Sequence, residues 1–245
     1  MTKICIVVNS CAAFYKTTIP ILIKSAAIAQ IPMEHMYVIV GESGPMQEQA
    51  IIADAYGPRI IHCSYVNIDY NAAVYLTQTT EGINILNSYT HMFYTHDTVE
   101  FLEGFWETIN TKALHCTSYT KSLPMYTQNI GLINVQWFLS TKKDMFSDFK
   151  NTDVSLKYKY KASEFPNESE IRGKYKGLPP KYLGEDAMFW FDEEGNPIGE
   201  YFQEFADDEQ IIEKYSKEKR NAVLYKSLRL IKYGITGISG YSFML

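Results

Sequence analysis

ICIVVNSCAAFYKTTIPILIKSAAIAQIPMEHMYVIVGES, residues 4–43, is the stretch on which the reading of the fold turns. Ile4 to Val8 is apolar at both parities and rich in β-branched residues, as in a strand covered on both faces of a parallel sheet. Asn9-Ser10-Cys11-Ala12 interrupts it. From Tyr15 to Ala29 the apolar residues Ile19, Leu22, Ile23, Ala26 and Ala27 recur at helical spacing. Pro20 is expected in the first turn, where a missing N–H costs little. Pro32 marks the exit, and Met36 to Val40 reads as a second buried strand, stopped by Gly41-Glu42-Ser43-Gly44-Pro45. Strand, helix and strand in that order form a right-handed crossover unit, which places the chain in the α/β class.

Outward from this unit, Met46 to Tyr56 reads as a helix and Arg59 to Val66 as a third strand. Asn71 to Ser88 is mixed, helical in its second half. Thr90 to Tyr94 reads as the next strand, Val99 to Asn110 as the next helix, and Ile130 to Leu139 as an apolar segment of undecided type. Beyond residue 150 the composition changes. KYKYK (157–161) and KYKGLPPK (174–181) read as a long connection. Glu185 to Glu209 carries ten acidic residues and no Lys or Arg, and Lys217 to Lys232 carries six basic residues and one acidic. The division this suggests is an α/β domain over residues 1–210 and a basic C-terminal helix and tail over 211–245, the helix ending near Gly234.

With 245 residues, a core burying about 70–75% of the unfolded surface is within reach. The formal net charge of −5 disfavours a general nucleic-acid binder. Cys5, Cys11, Cys63 and Cys116 have neither zinc-ligand spacing nor a disulfide framework, which suits a reducing compartment. ICIVV is too short for a signal-peptide core or a membrane span, so the expectation is a cytoplasmic protein. His35, His62, His91 and His115 lack ligand spacing and read as structural. No Gly-x-Ser-x-Gly elbow is present, so a serine hydrolase is disfavoured.

Ligands of α/β sheets bind outside the carboxyl ends of the strands. Three loops lie there if the strands are parallel: Asn9–Ala13, Gly41–Gly44 and Thr95–Thr98. The first lacks the GxGxxG spacing of dinucleotide sites.

The order ICIVVNS, helix, Gln30, YVIVGES resembles the N-terminal half of GT-A-type nucleotide-sugar glycosyltransferases, inverting and family-2-like. Asn84, thirteen residues before Asp97, matches an Asn often carried there. MFYTHD (92–97) stands where that family has an apolar strand running into its Asp-x-Asp motif, with Thr95 replacing the first Asp. Gly184-Glu185-Asp186 resembles the Gly-Glu-Asp near the acceptor site of inverting members. The resemblance covers about residues 3–110 and 180–195 and implies a GT-A fold, a mixed central sheet flanked by helices. It also implies transfer of one sugar from a nucleotide-sugar, UDP- or GDP-linked, to a hydroxyl of a glycan, glycolipid or glycoprotein. The Gln-x-x-Arg-Trp run of processive relatives is absent.

In those terms Asp97 is the candidate ligand of a Mn²⁺ or Mg²⁺ bridging the donor diphosphate, and such ions take hard oxygen ligands. His96 is a candidate diphosphate contact, and Asp207 or Asp208 a candidate second ligand. Glu42 and Ser10 are candidates for the nucleoside, with Asn84 in the same group. Asp186 is the candidate general base, with Glu185 as the alternative. Each has a plainer reading: Asp97 as the cap of a helix from Val99, Glu42 and Ser10 as turn residues, Asp186 as a helix-start carboxylate. The basic C-terminal helix offers docking on the domain's acidic region or peripheral contact with an anionic membrane. The rival functions are a non-catalytic nucleotide-sugar-binding or assembly domain, and a nucleotidyltransferase, whose Gly-rich basic first loop is missing.

Overall fold

In the computed structural model, which describes residues 2–42, 50–52, 57–65, 70–117, 130–142, 187–189, 222–225 and 228–233, the opening apolar run is the strand β1 (Ile4–Cys11), buried along its whole length. The chain continues through α1 (Tyr15–Ile28), a 3-10 turn (Met33–His35), β2 (Met36–Gly41), β3 (Ala50–Ile52), β4 (Arg59–His62), α2 (Asn71–Gln78) and α3 (Thr80–Asn87). It then forms β5 (His91–His96), β6 (Val99–Phe101), α4 (Phe105–Ala113), β7 (Gly131–Asn134), α5 (Val135–Lys142), β8 (Ala187–Phe189), β9 (Ala222–Tyr225) and β10 (Leu230–Tyr233).

The central sheet has the order β3-β4-β2-β1-β5-β7. β4, β2, β1 and β5 are parallel, and β3 and β7 are antiparallel at the two edges. A second sheet, β6-β10-β9-β8, is antiparallel throughout. This is a mixed α/β fold with a mostly parallel central sheet flanked by helices.

Residue parity sorts the core into two layers, as the period of a strand requires. Ile4, Ile6 and Val8 of β1 join Val38, Phe93, Leu22 of α1, Phe105 of α4 and Leu230 of β10 on one face. Cys5 and Val7 join Ile39, Tyr94, Leu76 of α2, Leu86 of α3 and Phe138 of α5 on the other. Phe105 packs edge-on against Phe93 at 4.9 Å and tilted against Phe101 at 4.5 Å, which ties α4 and β6 to the central sheet.

Several elements differ from the sequence reading, each for a local reason. β1 runs on through Asn9 and Ser10 because both polar side chains find buried partners at the strand end. Pro20 lies at the sixth position of α1, past the first turn, on an exposed part of the helix. Within Met46–Tyr56 the described residues are the strand β3, paired with β4, instead of a helix. Asn71–Ser88 is two helices, divided at Thr79, whose hydroxyl accepts from the Gly82 N–H at 2.9 Å and caps α3.

Val99–Phe101 is a strand whose alternating burial matches period two, and helix begins only after Gly104, at φ +80°. Asp97 therefore does not cap a helix. The expected C-terminal helix is also corrected. Residues 222–225 and 230–233 are strands, and Leu228 and Leu230 are buried in the main core. Apolar residues at three- and four-residue spacing suggested a helix, but pairing with β6 and burial in the main core override that spacing.

Candidate active site at the carboxyl edge of the sheet

The register brings the expected loops together. Cys11 pairs with Gly41 across β1 and β2, and Asn9 pairs with His96 across β1 and β5. Backbone bonds extend the ladder beyond the strands. The Ala12 N–H donates to the Gly41 carbonyl at 2.9 Å, and the Asp97 N–H to the Asn9 carbonyl at 3.1 Å. Strand order reverses at β1, where open α/β sheets take their ligands.

Ser10 shares its parity with Ile6 and Val8 and so faces α1. Its hydroxyl donates to Asp97 Oδ2 at 2.5 Å, and the Thr18 hydroxyl of α1 donates to the same oxygen at 2.8 Å. The Asp97 side chain is buried, with 7% exposure. Burial raises its carboxyl above the ordinary carboxylate range, although the Ser10 and Thr18 bonds and the Lys232 ammonium pull the other way. Desolvation of the charged form outweighs three stabilising partners. Asp97 Oδ1 is the oxygen that the two hydroxyls do not use.

Asn9, of opposite parity, serves the other layer. Its Oδ1 accepts from the Ala72 N–H at 2.8 Å and from the Tyr94 hydroxyl at 3.3 Å, so a strand residue caps the first turn of α2. That pins the helix start to the strand end. Asn71, fully buried, lies directly beside Gly41, where a Cβ would overlap its side-chain amide.

Glu42 is half-buried at φ +60°, a left-handed conformation, and its N–H donates to the Tyr65 carbonyl at 2.9 Å. Its carboxylate is near enough to Cys11 to help burial push that thiol up to about 11, and Asp97 acts on the same thiol from the other side. Burial first, and repulsion of the thiolate by the two carboxylates second, keep the Cys11 thiol protonated near pH 7. At the end of β4, His62 packs edge-on against Tyr15 at 5.2 Å, and burial lowers its pKa, which keeps it neutral near pH 7.

Of the residues singled out from sequence, Ser10, Glu42, His96 and Asp97 meet at this edge. Asn84 does not join them. It is exposed on α3, which lies at the opposite edge, where Glu81 pairs with Arg59 at the start of β4. Glu185, Asp186, Asp207 and Asp208 lie outside the described residues. Thr18 and Lys232 were missed. Thr18 had a signal, a polar residue on the apolar stripe of α1, in line with Leu22 and Ser25. Lys232 had none, because 135 residues separate it from Asp97.

The resemblance implies a divalent cation, and Asp97 would offer it one oxygen. Thr95, in place of a second carboxylate, is fully buried with its hydroxyl directed to the His96 carbonyl at 3.4 Å. Among the described residues, no group of three or more His, Cys, Asp or Glu side chains converges. At the end of β5 the described residues thus offer one carboxylate, and a Mg²⁺ or Mn²⁺ held there would take its remaining oxygens from the diphosphate and water. A groove lined by Thr90, His91, Asn134 and Trp137 lies at the amino end of β5, away from these carboxylates. His91 there is engaged by the Cys116 carbonyl and Thr90, and among the described residues no acid–base pair lines the groove.

No family model matches the chain, and no curated protein matches it. Among solved structures it is similar to the apo-form glycosyltransferase GlyE of Streptococcus pneumoniae TIGR4, at 10% identity and a TM-score of 0.38. That similarity covers 89% of this chain and 64% of that one. A likeness of this degree decides neither family nor activity. Among the described residues no helix is long and apolar enough to cross a membrane.

Proposed function

We propose that the chain is a glycosyltransferase that moves one sugar from a nucleotide-diphosphate-sugar, UDP- or GDP-linked, to a hydroxyl acceptor with inversion. The observation that carries this reading is the meeting of Ser10, Glu42, His96 and Asp97 at the carboxyl edge where strand order reverses. The nucleoside would lie over the ends of β2 and β4, with Glu42 accepting from a base N–H or ribose hydroxyl. The diphosphate would lie at the end of β5, against His96 and Asp97.

In the transfer, the acceptor oxygen bonds to the anomeric carbon while the bond from that carbon to the distal phosphate oxygen breaks. The electron pair of the broken bond stays on the phosphate, and the acceptor proton passes to a carboxylate, for which Asp186, then Glu185, is the candidate. A positioned base contributes typically about 10²–10⁴-fold. Acceptors of the glycan, glycolipid or glycoprotein class fit the reaction equally.

A second reading, a non-catalytic binding domain, is favoured by the commitment of Asp97 to two internal hydroxyls. One experiment separates them: thermal shift and donor hydrolysis with a panel of nucleotide-sugars and nucleoside diphosphates, with Mn²⁺ or with EDTA. The transferase reading expects one nucleotide to raise the melting temperature and its sugar conjugate to be hydrolysed slowly. Stabilisation without hydrolysis favours the binding domain, and no stabilisation by any nucleotide overturns both.

A further inference from the structure

β10 is fastened along the segment that follows Asp97. Its Leu230, Ile231 and Lys232 pair with Phe101, Glu100 and Val99. The Tyr233 N–H donates to the Thr98 carbonyl at 3.0 Å, and the Leu102 N–H donates to the Arg229 carbonyl at 2.9 Å. The Arg229 Nε–H closes the far end by donating to the Glu103 carbonyl at 2.9 Å. A strand held at both ends delivers its side chains to fixed places. The Lys232 ammonium, half-buried, donates to the Thr98 hydroxyl at 3.2 Å, one residue past Asp97.

We infer that Lys232 is the diphosphate-binding cation of this site, holding by its own charge the phosphates that a carboxylate-bound metal would otherwise hold. The inference rests on the donor reading above and names the residue that meets the donor's charge. Glu42 and Asp97 make the edge acidic, so a diphosphate needs a cation there. The described donors supply one carboxylate at the end of β5 and a buried threonine in place of another. Lys232 brings a compact positive charge to that place on a rigid strand, in a half-buried setting where screening is weak. As the bond to the anomeric carbon breaks, the pair left on the phosphate oxygen adds negative charge beside this ammonium. Stabilisation of that growing charge is what accelerates departure.

The test is calorimetric titration of the full chain with UDP, GDP and the corresponding nucleosides, in EDTA and again with Mn²⁺, for wild type, Lys232→Met, Lys232→Gln and Lys232→Arg. Melting curves identify the variants that fold, and Lys232→Gln keeps a hydrogen-bonding group without the charge. The inference expects wild type to bind its nucleoside diphosphate in EDTA. It expects each neutral variant to bind it about ten- to hundredfold more weakly, the range of a charge-assisted hydrogen bond. Nucleoside affinity should not change, and Lys232→Arg should stay within a few-fold of wild type. Diphosphate binding that appears only with Mn²⁺, or neutral variants that bind like wild type, overturns the inference and leaves the donor reading standing. A wild type that binds no nucleotide in either buffer overturns both.

Discussion

Ser10 and Asp97 join the two central parallel strands through a 2.5 Å hydrogen bond between hydroxyl and carboxylate, placed where both strands end. The carboxylate is buried, and burial raises its pKa in spite of that bond. The consequence for stability has a definite sign. A carboxyl whose folded pKa exceeds its unfolded value is protonated more readily in the folded state. Its charge costs nothing below the ordinary carboxylate range, and costs progressively more as pH rises from there through the folded pKa. Asp97→Asn removes that titration and can still accept from both hydroxyls. Urea unfolding at a series of pH values should show the stability difference, variant minus wild type, growing from about pH 4 upward. A difference that is flat with pH, or that shrinks, would show that burial does not dominate at Asp97.

Glu42 carries a backbone cost at the same edge. A non-glycine residue at φ +60° gives up about 1–2 kcal/mol relative to an unstrained conformation, and such residues concentrate where function requires them. Glu42→Gly should raise stability by about 1 kcal/mol and weaken nucleotide binding about tenfold. Gln30, at φ +57°, is the internal comparison. It closes α1 with the Ile31 N–H on the Ala26 carbonyl and its own N–H on the Ala27 carbonyl, a capping arrangement in which glycine is the usual residue. Gln30→Gly should stabilise by a similar amount with no change in binding. If the two variants bind alike, Glu42 does not contact the nucleotide.

The four thiols should be silent in the folded protein. All are buried, and burial pushes Cys11 and Cys63 up to about 11 and Cys5 further. A chromogenic disulfide reagent at pH 8 should therefore titrate well under one thiol per chain before denaturation and all four after it. Rapid reaction of Cys11 in the folded state would mean that the end of β1 opens.

Reading the sequence recovered what depends on neighbours along the chain. The uninterrupted apolar runs of β1, β2 and β5 announced buried parallel strands, and their polar ends announced the edge where Ser10, Glu42 and Asp97 meet. Where two periods overlapped, the reading failed. Val99-Glu100-Phe101 alternates like a strand but also fits the helical spacing that continues into α4. Its role as a strand is settled by β10, about 130 residues later. The same long-range pairing explains why residues 222–233 looked helical in isolation. Thr18 and Asn9 became legible only with the partners they hold, Asp97 in one case and the Ala72 N–H in the other.

Gly41 offers the sharpest test of how the two layers meet at this edge. A Cβ on Gly41 would overlap the side-chain amide of Asn71, which is fully buried at the first position of α2. α2 cannot simply retreat, because the Ala72 N–H is held by Asn9 and the Gly41 carbonyl is held by the Ala12 N–H. Gly41→Ala should therefore cost about 1–3 kcal/mol, the range for overpacking a filled core. The cause is separable from any loss of backbone freedom by a double-mutant cycle with Asn71→Ala, which makes the room a methyl group needs. In that background the added methyl should cost about 1 kcal/mol less than it does in wild type. Equal costs in the two backgrounds would show that contact with Asn71 does not require the glycine, and the tight junction of β2 with α2 would lose its explanation.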